Sequence, residues 1–109
     1  MTQEDALSSL RAAYDAANAA LEKAQDADAD PKIVARLNDA ADLALRSLAQ
    51  AMKETLTVAN QHTVEIQAEL DKNTAQLKAD LKSDQALTDV IGTVDQVVKL
   101  AAALASAFA

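Results

Sequence analysis

His62, Glu65 and Glu69 are the residues best spaced for chemistry in this 109-residue chain. They follow one another at helical spacing, so one strip of a helix could present an imidazole that titrates near neutrality beside two carboxylates. Such a strip would suit a divalent metal or an acid–base pair. Bundle di-iron sites, however, place Glu-x-x-His on paired helices, whereas here the order is reversed and His62 is the one histidine of the chain. The reading that fits better is a solvated histidine beside solvated glutamates; a dimer that doubled the ligands across a two-fold axis would be the way to a metal site.

Asp26, Asp28 and Asp30 alternate like the opening of a calcium loop. The glycine of the sharp turn is missing, and Leu37 stands where a bidentate Glu should be, so an EF-hand is rejected. There is no Cys, which removes disulfides, thiolate metal sites and a cysteine nucleophile. No glycine-rich phosphate loop or nucleophile elbow occurs, and Ser8, Ser9, Ser47, Ser83 and Ser106 read as helix or cap residues. Tyr14 reads as a seam residue with its hydroxyl at the rim. No catalytic, cofactor or metal residue is assigned, and the expectation is a protein that is not an enzyme.

The elements that would position any site are helical. With 27 Ala and 14 Leu against one Gly, one Pro and two aromatic residues, the composition favours helix over sheet. The length suits one small domain covering residues 1–109. Thr2 is an N-cap with Glu4 and Asp5 in the first turn, and Leu7, Leu10, Tyr14, Ala17, Leu21 and Ala24 recur at threes and fours. This predicts a first helix over about 3–26. Pro31, with Asp30 as N-cap, opens the next after a tight turn.

From Pro31 to Lys82 there is neither Gly nor Pro. A stripe from Val34 through Leu37, Ala41, Leu45, Leu48, Met52, Leu56, Ala59, Thr63, Ile66 and Leu70 to Leu81 keeps the period of a straight helix. Residues 31–82 therefore read as one long central helix in an antiparallel bundle of three, the third helix spanning about 84–108 with Ser83 as its N-cap. The alternative is a compact four-helix bundle broken near residues 58–63, inside a stretch of low helix propensity at 55–64 where Asn60 could end one helix and Thr63 cap the next.

The last helix has a broad apolar face and, beyond Lys99, no polar face at all. Val94, Val97, Val98, Ala101, Leu104 and Phe108 are the candidate interaction residues. An all-round apolar end demands a cover, and an alanine-thinned core suggests that each chain needs a partner. The expectation is a self-associating helical scaffold, adaptor or regulatory module, forming a dimer and open to other protein partners. The alternative is a membrane- or lipid-surface protein acting through residues 97–109; against it, Lys99 is the sole base beside that face.

The net charge is −7, and Lys72, Lys78 and Lys82 are diluted by Asp71 and Asp80, so nucleic acid is not an expected partner. Acids stand near the amino terminus where a secretory signal would carry bases, which predicts a cytoplasmic protein, leaderless export being the alternative.

Overall fold

The computed structural model describes residues 2–57, 59–83 and 86–109. It is an all-α bundle of four helices: α1 (Gln3–Asp26), α2 (Pro31–Lys53), α3 (Gln61–Lys82) and α4 (Leu87–Ala105).

Local chemistry explains the first two boundaries. The Thr2 hydroxyl accepts from the Asp5 amide while the Asp5 carboxylate accepts from the Thr2 amide, both at 3.1 Å, a reciprocal capping box. Donation from the Thr2 amide first, and from the Thr2 hydroxyl to the carboxylate second, holds the Asp5 carboxyl below its ordinary value. At the other end of α1, Asp28 takes a left-handed conformation with φ of 49°. That lets Ala29 N–H reach Ala24 O at 3.0 Å and Asp28 N–H reach Gln25 O at 3.2 Å, the two bonds of a Schellman motif. Asp30 then accepts from Lys32 N–H at 2.8 Å, with Pro31 at the first helical position. Two of the three alternating aspartates thus serve a helix–helix turn.

The chain breaks between α2 and α3, so the four-helix alternative holds and the long central helix does not. Asn60 is the N-cap of α3 and not the end of α2; its side chain accepts from Thr63 N–H at 3.1 Å, and Thr63 Oγ1 accepts from Asn60 N–H at 2.9 Å. The unbroken apolar stripe misleads for a geometric reason. Seven residues separate the two helices, and seven residues are ~1.9 turns at 3.6 per turn, so the apolar phase returns whether or not those residues are helical. The expected break at 58–63 includes residue 58, which lies outside the described residues.

Ser83 caps the end of α3, its hydroxyl donating to Asp80 O at 2.8 Å, and does not start α4. The expected start of the last helix at residue 84 lies outside the described residues. Ala86 stands at the N-cap of α4 without a side-chain bond. That helix ends at Ala105, not at residue 108. The remaining residues turn and pair with the α2–α3 connection: Thr57 N–H donates to Ala107 O and Ala109 N–H to Thr55 O, both at 2.9 Å, making an antiparallel bridge between Leu56 and Phe108.

Two contacts between helices fix the directions. Gln67 Nε2 donates to Ser9 Oγ near the starts of α3 and α1, and Lys23 Nζ donates to Leu81 O and Ser83 O near their ends, so α1 and α3 run parallel. α1 packs on α2, α3 and α4, and α4 packs on all the others, whereas α2 and α3 make no contact among the described residues. The bundle is therefore a rhombus with α1 and α4 on its short diagonal. Buried Ala6, Ala13, Ala16, Ala17, Ala20 and Ala24 make that approach feasible, because a methyl group leaves room for a neighbouring backbone. Because α2 and α3 stand on the long diagonal, the chain between Lys53 and Gln61 passes from one side of the bundle to the other.

Candidate interaction surface

The six residues expected to meet a partner are brought together, but inside their own chain. Val94, Val97, Ala101 and Leu104 are fully buried, and Val98 and Phe108 nearly so. They form part of one core with Leu10, Leu37, Leu70 and Leu77. The cover that an all-round apolar helix end demands comes from α1, α2, α3 and the crossover segment that pairs with residues 107–109. Sequence reasoning found the need for a cover; the packing of α4 on the other three helices, which supplies it, is set by residues far apart in the sequence.

His62 lies exposed in the first turn of α3, and Glu65 and Glu69 are exposed on the same helix. Glu65 accepts from Gln61 Nε2 at 3.2 Å, a contact within one helix turn. Among the described residues no group of three His, Cys, Asp or Glu is placed to hold a metal ion. Tyr14 is half-buried on α1 at the edge of the α1–α2 valley. Ser9 and Ser47 are buried, their hydroxyls bonded to Gln67 and to Leu43 O respectively.

What the surface does offer is concentrated on α2. Leu43, Leu45 and Met52 are 51%, 43% and 59% exposed; the remaining large apolar side chain of comparable exposure among the described residues is Val64, on α3. Residues 45 and 52 are two turns apart and share one flank of α2, while Leu43 lies on the other. Exposure of Leu45 and Met52 corrects the expectation that both belong to the core stripe. The buried face of α2 runs through Leu37, Ala40, Ala41, Ala44, Ser47, Leu48 and Ala51, rotated towards its small residues. Weighting a helix by its large side chains alone misplaces that face.

Each flank borders a hollow. Between α2 and α4, a groove of about 380 Å³ is floored by Ala40, Leu43, Val98 and Ala102. The Arg36 guanidinium pairs with the Asp95 carboxylate across one end of it, and Asp39 and Lys99 line its banks. Between α1 and α2, a hollow of about 190 Å³ lies among Tyr14, Asn18, Leu21, Asn38, Ala41, Asp42 and Leu45. Asp42 pairs with Arg46 one turn along at 2.9 Å. Polar groups at the rims of both hollows are paired to each other or open to water.

Compared with protein families, with curated proteins and with solved structures, the chain shows no match. Among the described residues no helix is long and apolar enough to cross a membrane.

Proposed function

We propose that this chain is a non-enzymatic, cytoplasmic helical interaction protein, a scaffold, adaptor or regulatory module, and that its contact surface is α2 with its two flanks. The observation that carries this reading is the placement of Leu43, Leu45 and Met52 in water on one helix at the long corner of the rhombus. Exposed leucines are ordinary singly, but three large apolar side chains on one helix, two of them, Leu43 and Leu45, lining hollows, are the composition of an interface core awaiting its partner. The net charge of −7 keeps such a surface soluble until a partner covers it.

The lipid-surface alternative rests on residues 97–109, whose large side chains are inside the bundle; lipid contact would require α4 to leave its core.

Photo-crosslinking side chains introduced at positions 43, 45 and 52 in cells test the proposal against a control at the exposed Lys72 of α3. Discrete adducts from the α2 positions and none from the control are expected. Equal labelling at both, or none at α2, overturns the reading.

A further inference from the structure

We infer that the partner of the α1-side flank of α2 is a second copy of this chain, docked antiparallel through a two-fold axis near Leu45; this rests on the interaction reading above. Asn38, Asp42, Leu45, Ala49 and Met52 succeed one another at intervals of four, three, four and three. That is the 3.5-residue period of a helix–helix seam, laid on a face that the bundle itself leaves open. All five are exposed or half-buried. Leu45 stands at the middle, Met52 and Asn38 lie seven residues to either side, and Ala49 is small enough to admit a neighbouring helix.

A two-fold contact must be self-complementary, since each patch meets itself. An antiparallel mate centred on Leu45 sets leucine against leucine and brings Met52 of the second copy over Asn38, at the edge of the hollow lined by Tyr14, Asn18 and Leu45. A flexible thioether suits such an irregular gap.

The charges then decide the orientation. Asp42 and Arg46 are paired within one chain and both remain exposed. Asp42 is three residues before the centre and Arg46 one after it, so antiparallel pairing brings Arg46 of the second copy within two residues, ~3 Å along the axis, of Asp42. The same flank carries both groups, and the symmetry repeats the contact. Each Asp42 carboxylate gains a second guanidinium as it leaves water, which a parallel mate would not supply.

Sedimentation equilibrium of the full chain tests this, with circular dichroism confirming that each variant remains folded. Wild type is expected to form a dimer that Leu45→Asp weakens by about tenfold or more. Asp42→Arg alone and Arg46→Asp alone should each weaken it by a similar factor of about ten, because each sets like charges together across the axis. An equimolar mixture of those two variants should regain a dimer of wild-type strength, since opposite charges then meet across chains. Wild type that stays monomeric up to about 1 mM, an association free energy no stronger than about −4 kcal/mol, overturns the inference. A dimer indifferent to Leu45→Asp, or a charge-swapped mixture that does not recover, overturns it too. Adducts from position 45 that join this chain to a different protein alone would end the self-association inference and leave the interaction reading standing.

Discussion

At the scale of single residues, burial decides what a substitution costs. Leu70 is fully buried on α3, so Leu70→Asp should destabilise the fold by about 4 kcal/mol, combining a lost apolar side chain with an unpaired buried charge. Leu45, on the same sequence stripe, has 43% of its surface in water; Leu45→Asp should cost the monomer under about 1 kcal/mol. Urea unfolding at low protein concentration separates them, and equal midpoints would put the core on a different face. Thr74 supplies a test of opposite sign. Its hydroxyl is buried with no hydrogen-bond partner among the described residues, so the near-isosteric Thr74→Val should stabilise by about 1 kcal/mol, read as a raised urea midpoint. A loss of stability there would mean that the hydroxyl is bonded.

At the scale of elements, α4 shows how tertiary packing outweighs local preference. It carries a glycine in its interior and starts at an alanine without a capping side chain. Both are departures from what a helix favours by itself. Gly92 is exposed, and a Cβ placed on it meets nothing within 4 Å, so Gly92→Ala should raise stability by about 1 kcal/mol. Ala86→Asp should add about 1 kcal/mol through a new N-cap bond. Thermal unfolding of both variants and of their combination checks this; the two gains should add, the sites being more than one helical turn apart. In α3 the inner face is the weak one: of its described buried residues, Thr63 and Thr74 are hydroxyl-bearing, beside Leu70 and Leu77.

At the scale of the whole molecule, topology turns that local weakness into a difference in motion. α3 touches α1 and α4 but not α2, whereas α1 and α4 each touch three neighbours. Native-state hydrogen exchange in low denaturant should therefore show α3 amides opening at lower free energy than those of α1 and α4. Exchange of α3 solely through global unfolding would show instead that the four helices form one cooperative unit. The crossover makes a second, geometric prediction. Spin labels at positions 36 and 78 both lie at the end of the bundle remote from the crossover, and should be separated by about the 22 Å breadth of the molecule. An unbroken helix would put them ~60 Å apart, a difference that a dipolar distance measurement on spin-diluted protein resolves at once.

The sequence by itself determined what neighbours along the chain can settle. Thr2 with Asp5, Asp30 with Pro31, and the alanine–leucine composition specify helices and two of their starts through caps and backbone preference, interactions that reach no further than a turn. The same short reach accounts for the misread break: Asn60 and Thr63 carried a cap signal, but a seven-residue connection preserves helical phase, so periodicity could not tell a loop from a helix. The inner faces of α1 and α4 were legible in their apolar spacing, whereas the face of α2 was decided by the tertiary structure. Burial belongs to a residue and its distant neighbours together: Leu104 and Phe108 are covered because α4 packs on three other helices and residues 107–109 pair with the segment after α2. The same packing turns α2 onto Ala40, Ala44 and Ala51 and leaves Leu45 and Met52 facing water.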